Sequence, residues 1–451
     1  MASLSKFVGI PTTCVEYMHP WSDHCVNATA GLLLQSCSES LRIYSAVYLL
    51  SLVMRGKIPS RKDLQRTLHG MLQSTAFLTT NAFTFSMFVC LLRRWLGKLY
   101  FLTVAFIPSW MASFCAILVE RPSRRGLLCL YVANVATETY WRMLESRGLV
   151  HPIKYGRVMI FGLSATILLL LYRSGLHKTQ NDGLFDIIRF VVGKSEEAHA
   201  EDAERPPDRP PVARPAIPHG SILRIVHDKV MGFLRALPKH FSCPHRDSCV
   251  SYTLQGGTKL FCVGLGLQLT LSLVFQMGKI LRNPSAIKRI LRSRDVMKIA
   301  LFLGGFSALF RATSCSLRHL LGRDSPYHAV PAGLLASTMF SQYPDTSVCL
   351  YIMWKMLQIT YKLGIERKIV PRIPGATIFL YCTFTATLFH VAMVEPRNLR
   401  PSYWKFLHSL SGGRSAAIDR IPVDLWGLET SKQLMEVLKS TRTDFNVKFL
   451  L

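Results

Sequence analysis

Ten apolar runs, five before and five after a proline-rich interruption, set the terms on which this chain can fold. They fall at about 41–54, 70–92, 99–119, 126–144 and 157–172, and again at about 257–277, 298–312, 328–342, 346–363 and 376–394. A helix needs roughly 20 residues to cross a bilayer. The second and third runs reach that length, whereas the first and several in the second half are shorter. Long apolar runs divided by basic loops are the pattern of a polytopic membrane protein. The fourth run carries Asn134, Glu138 and Arg142, so if it crosses it must face protein or a polar cavity. Pro108 and Pro331 sit inside the two third runs, where a kink is tolerable because neighbouring helices can satisfy the freed carbonyl.

The two sets of runs resemble each other. Cys90-Leu91-Leu92-Arg93-Arg94-Trp95-Leu96-Gly97 returns as Cys315-Ser316-Leu317-Arg318-His319-Leu320-Leu321-Gly322. Other matches keep the same order, as a duplication requires: Pro20, Asp23, Cys25 and Val26 answer Pro244, Asp247, Cys249 and Val250, and Cys129-Leu130-Tyr131 answers Cys349-Leu350-Tyr351. The expected fold is therefore all-α, a multi-pass helical membrane protein of two homologous helical-bundle repeats joined by a disordered linker. The segments read as a Cys-rich start at 1–40, a first transmembrane repeat at 41–194, a Pro-rich linker at 195–220, a basic amphipathic and Cys/His segment at 221–250, a second transmembrane repeat at 251–412 and a tail at 413–451. Five crossings per repeat would invert the second copy relative to the first. Four would leave the copies parallel, and basic residues in nearly every loop give the positive-inside rule no clear winner.

Charge narrows the partners. The chain has 54 Lys and Arg against 27 Asp and Glu, a net +27. No basic face with interleaved aromatics or nucleic-acid module accompanies that excess, so nucleic acid is not an expected partner. The basic clusters Arg55 to Arg66, Arg93-Arg94, Arg121 to Arg125 and Arg282 to Arg294 stand at the ends of apolar runs, where they suit anionic lipid headgroups. The first 25 residues lack a signal-peptide apolar core, so the sequon at Asn27 is read as a chance match.

Several constellations could carry chemistry. Cys14, His19, His24 and Cys25 form one Cys/His set, and Cys243, His245 and Cys249, with His240 near, form another. Neither has the paired C-x2-C spacing of a strong zinc motif. Metal ligation, a disulfide and a structural cap with free thiols are the alternatives, and the cap is the assignment made for Cys25, Cys243, His245 and Cys249, with no metal and no cofactor. His319 and Asp324 have the H-x4-D spacing of acyltransferases, in which a histidine base acts on an acceptor hydroxyl. Arg94 and Leu99 take the equivalent places in the first copy, which argues against catalysis. Glu138 and Arg311 are ionisable residues at membrane depth, hence the candidate intramembrane polar site. The competing expectations are a helical pair of Glu138 with Arg142 and an Arg311 that snorkels to the headgroups.

Glu120-Arg121-Pro122-Ser123-Arg124-Arg125-Gly126-Leu127, Asn134 to Thr139, Arg189 to Lys194, and Leu399-Arg400-Pro401-Ser402-Tyr403-Trp404-Lys405-Phe406-Leu407 resemble the transmembrane protein 135 family, also described as a peroxisomal membrane protein family. The resemblance extends over nearly the whole chain, and the carboxyl half is similar to a four-span family that includes inner-membrane translocases. It implies a non-enzymatic protein of mitochondrial and peroxisomal membranes, with lipid droplets as a further location. It also implies a role in mitochondrial fission through a dynamin-related GTPase and in peroxisomal and lipid homeostasis. Membrane lipids and that GTPase are the expected partners, with a homo-oligomer left open, and the family brings no catalytic residues. The alternative function is a carrier or conduit for a lipid or metabolite between the two repeats.

Overall fold

The first helices begin and end where local chemistry dictates. The computed structural model describes residues 8–54, 60–180, 182–197, 239–245, 248–283 and 294–447, with isolated positions 232, 233 and 237. Helix α1 (Cys25–Met54) is followed by α2 (Arg61–Leu96). At the start of α2, Ser60 Oγ accepts from the Asp63 amide at 3.2 Å and Asp63 Oδ2 from the Ser60 amide at 3.3 Å, a reciprocal capping box. It ends at Gly97, whose φ of +72° is a left-handed conformation that glycine adopts without steric cost. Helix α3 (Phe106–Val119) and α4 (Pro122–Ser146) follow, α4 with proline at its first position where no amide donor is missed.

The chain then enters a second compact unit. Unit 1 comprises Met1–Pro152 with Arg372–Leu451, and unit 2 comprises Ile153–Pro371. Unit 2 holds α5 (Gly156–Arg173), α6 (Gly183–Val192), α7 (Cys249–Arg282), α8 (Arg294–Leu321), α9 (Ala329–Ser337) and α10 (Thr346–Glu366). The chain returns to unit 1 with α11 (Ala376–Val394), α12 (Pro401–Leu410) and α13 (Thr430–Thr441). Among the described residues the extended structure amounts to an isolated antiparallel bridge between Ile10 and Leu99.

In unit 1, α11 lies against α3 and α4. Phe389 meets Phe85 of α2 edge-on at 5.1 Å and Tyr381 meets Phe77 at 6.1 Å. Trp404 and Trp426, from the polar carboxyl region, are fully buried in the same core. In unit 2, α5 lies against α9 and α10. Phe161 of α5 stacks on Phe340 at 4.2 Å, and the backbones come close at small residues as the spacing of Ala329, Gly333 and Ser337 suggests. A Cβ on Gly333 would stand 2.8 Å from Thr166 Oγ1, and one on Gly162 3.3 Å from Ser337 Cβ.

Among the described residues, four helices are long and apolar enough to cross a membrane: α2, α5, α8 and α11. The third runs contract to 14 residues in α3 and 9 in α9, about 21 and 14 Å of helix against a hydrocarbon core of about 30 Å. Turns and 3-10 segments take up the rest of each run, so these are short packed helices. Pro108 and Pro331 are each the third residue of their helix, a first-turn position that needs no amide donor and produces no kink.

The stretch assigned to the linker, 195–220, opens on folded residues. Lys194–Glu196 form a 3-10 turn, and the Glu196 side chain is wholly buried. Residues 198–220 and most of the amphipathic stretch from Ser221 to His240 lie outside the described residues.

Candidate functional site

Each unit gathers three thiols and an imidazole at the start of one of its long helices. In unit 1, Cys14 opens a one-turn helix, Cys14–Tyr17, capped by Thr13 and Glu16, and Cys25 opens α1. His19 lies in the loop between them, and Cys90 comes from α2. The four donor atoms all lie within 4.8 Å of one another. Cys14 Sγ is 3.3 Å from Cys25 Sγ. The His19 ring is fully buried, with Nδ1 2.9 Å from the Ser22 carbonyl oxygen and Nε2 without a hydrogen-bond partner. Because a carbonyl can only accept, Nδ1 carries the proton in that contact, which leaves Nε2 as the ring nitrogen able to take a further partner.

In unit 2, Cys243 and His245 precede α7, Cys249 is its first residue, and Cys315 comes from α8. Their donor atoms meet the same 4.8 Å limit. Cys243 Sγ is 3.7 Å from Cys249 Sγ, and Cys315 Sγ is 3.4 Å from His245 Nε2. The His245 ring stacks on Tyr252 at 4.4 Å. Burial, with Cys249 alongside, pushes the Cys243 thiol up to about 11, and burial raises Cys14 likewise. Cys90 and Cys315, 65 to 76 residues from the other three in sequence, are the members that spacing alone does not single out.

Three residues after each of those cysteines stands an arginine that fixes the neighbouring chain. Arg93 donates from Nε to the Thr12 carbonyl at 2.6 Å and from Nη2 to the Pro11 carbonyl at 2.8 Å, holding the approach to Cys14 against α2. Arg318, fully buried, donates to Glu196 at 2.6 and 3.0 Å and from Nε to Asp324 at 2.9 Å. Arg173 also pairs with Asp324. Burial alone would raise the Asp324 carboxyl, but Arg318 and Arg173 hold it below the ordinary carboxylate value.

This arrangement leaves His319 without the acyltransferase geometry. Asp324 is bonded to the two arginines, and the His319 ring lies against His240 at 4.8 Å.

The two intramembrane candidates fall in different units, and each is bonded within its own. Glu138 of α4 accepts from Arg142 at 2.6 Å, as the helical pair requires, and from Arg400 Nε at 2.7 Å. Arg400, at the start of α12, is a partner that local spacing does not reveal. Arg311 does not snorkel. It is buried, lies 4.4 Å above the Tyr252 ring and donates to the Tyr252 carbonyl at 3.1 Å. Gly256 makes room for it, since a Cβ there would collide with the guanidinium. Unit 2 carries a tie like that of Glu138 with the charges reversed: Lys355 of α10 pairs at 2.8 Å with Asp182, the residue that caps α6.

Unit 2 also has an open apolar cavity of about 530 Å³ beside α7 and α8, lined by Leu254, Phe261, Leu301 and Met339 among others, with Gln342 at its edge.

Residues 11–144 match the model of the N-terminal cysteine-rich region of Transmembrane protein 135. No solved structure matches the chain.

Proposed function

We propose that the chain, whose residues 11–144 match the cysteine-rich region of Transmembrane protein 135, belongs to that family and is a non-enzymatic scaffold of mitochondrial and peroxisomal membranes. In this reading it adjusts mitochondrial fission by engaging a dynamin-related GTPase and contributes to peroxisomal and lipid homeostasis. The observation that supports it is the use of charge inside the protein. Glu138 with Arg142 and Arg400, Glu196 with Arg318, and Asp182 with Lys355 are tied side chain to side chain. Charges spent on holding helices together suit a framework, whereas turnover or transport requires groups that meet a substrate.

The proposal includes the duplication. Gly97 and Gly322 end α2 and α8 in the same left-handed conformation, and Gly148 and Lys368 do so after α4 and α10. Tyr155 and Gly375 precede α5 and α11 likewise. On this account the fifth helices have been exchanged, α5 packing in unit 2 and α11 in unit 1.

The test uses cells lacking the chain. Re-expression should restore mitochondrial length and GTPase recruitment. Neutralising Arg224, Lys229 and Arg235 of the amphipathic stretch should weaken recruitment several-fold while leaving membrane insertion intact. Unchanged recruitment with the neutralised chain would remove the partner assignment.

A carrier function has one observation in its favour, the 530 Å³ apolar cavity of unit 2, which has the dimensions and lining of a site for an acyl chain. Flux of a fluorescent lipid across reconstituted vesicles that Thr258→Phe abolishes would favour this reading over the scaffold.

A further inference from the structure

The two Cys/His clusters have a use that neither free thiols nor disulfides explain, and we propose that each is a structural zinc site. Cys14, His19, Cys25 and Cys90 would hold one ion, and Cys243, His245, Cys249 and Cys315 the other. Three thiolates and one imidazole are a closed tetrahedral zinc set. With zinc–sulfur bonds of about 2.3 Å, two thiolates on one ion sit about 3.8 Å apart. Sulfur pairs at 3.3 and 3.7 Å and a sulfur–nitrogen pair at 3.4 Å lie near that geometry. They are far from the roughly 2.05 Å of a sulfur–sulfur bond.

The histidines decide between the alternatives. A disulfide leaves no role for an imidazole. A packed thiol cluster gives no reason for His19 to be fully buried beside three thiols with Nε2 unpartnered. Ser22 holds the Nδ1 proton, the outer contact that fixes a ligating imidazole in the tautomer a metal needs.

The internal comparison points the same way. Cys25 and Cys249 open equivalent helices, and Cys90 and Cys315 stand three residues before Arg93 and Arg318. The other two donors come from different places, as Cys14-x4-His19-x5-Cys25 in one half and Cys243-x-His245-x3-Cys249 in the other. Two unlike spacings converge on one donor set, which a requirement for particular ligands explains and a requirement for buried volume does not. Each ion would fasten the segment ahead of α1 or α7 to the next helix, α2 or α8. Binding requires that three thiols release their protons to solvent as three zinc–sulfur bonds form.

The full chain, purified in detergent without chelator and measured by elemental analysis, should carry about two zinc ions. Cys90→Ser and Cys315→Ser should each remove about one and the double variant both. His19→Cys and His245→Cys, which keep four soft ligands, should retain the metal and so serve as variants for which loss of folding is not at issue. Cobalt(II) exchanged into the chain should show the visible absorption of tetrahedral thiolate coordination. Full titration of all 12 cysteines by a thiol reagent under native conditions, with no metal bound, would overturn the proposal. Recovery of Cys14–Cys25 or Cys243–Cys249 disulfides from freshly purified protein, or of iron with sulfide in place of zinc, would overturn it equally.

Discussion

At the residue scale, Glu196 and Glu197 are adjacent carboxylates with different duties. Glu196 is wholly enclosed with Arg318, both side chains at 0% exposure. Removing Glu196 would leave Arg318 with only Asp324, a carboxylate it shares with Arg173, and breaking a buried ion pair typically destabilises by about 3–5 kcal/mol. Glu196→Gln is therefore expected to lower the denaturation midpoint of the detergent-solubilised chain sharply, and a loss under about 1 kcal/mol would show that Asp324 alone suffices to hold Arg318. Glu197 faces Arg189, a side chain 43% exposed, and His177. Burial works to raise its carboxyl, but Arg189 and His177 outweigh burial and keep it below the usual value near 4.5. A carboxyl that ionises more readily in the folded chain than in the unfolded one adds stability above the unfolded value, and that stability fades as pH falls through the folded one. Melting temperature measured from pH 6 down to 3.5 should fall for the parent chain. In Glu197→Gln it should start lower at pH 6 and fall less steeply. Equal slopes would assign the acid transition to other carboxyls, Asp324 foremost.

At the element scale, the apolar runs announced most of the helices, because burial of a 20-residue stretch is written locally. What escaped was whatever depends on distant neighbours. The third runs looked like spans, yet α3 and α9 stop at 14 and 9 residues, since composition does not register how a turn consumes one end of a run. Glu196 was placed in the linker because the residues after it are acidic and proline-rich, while its partner Arg318 lies 122 positions away. The Cys/His sets were visible in part, but the fourth member of each sits on another helix and turns a loose spacing into a compact group. The pairing of α5 with α9 rests on Gly333, where an added Cβ would meet Thr166 Oγ1 at 2.8 Å and Thr166 Cα at 3.2 Å. Because one of those neighbours is backbone, the helices must separate. Gly333→Ala should cost about 1–3 kcal/mol, whereas Gly97→Ala, with nothing within 4 Å, should cost only about 1 kcal/mol from its left-handed backbone. Urea melts of the two variants should rank in that order, and the reverse order would mean that α5 and α9 adjust freely.

At the scale of the whole molecule, the units do not coincide with the halves of the sequence. Unit 1 takes α1 to α4 from the first half and α11 to α13 from the second, while unit 2 takes α5 and α6 from the first half and α7 to α10 from the second. Cys382, Leu388, Ala392 and Val394 of α11 are almost completely buried in the core that also holds Val89, Ala112 and Ala136. A fragment ending at Lys194 lacks α11 and both buried tryptophans of the carboxyl region. It keeps α5 with no unit to join. Hydrophobic burial scales with the apolar area removed from water, and each half lacks the helix that fills its unit's core, so neither half can close a core alone. Residues 1–194 expressed by themselves should be degraded by limited proteolysis at least tenfold faster than the same fragment co-expressed with residues 195–451. The co-expressed pair should copurify without a covalent link. A first half that resists protease unaided would mean that α1 to α5 can close a core without α11 to α13.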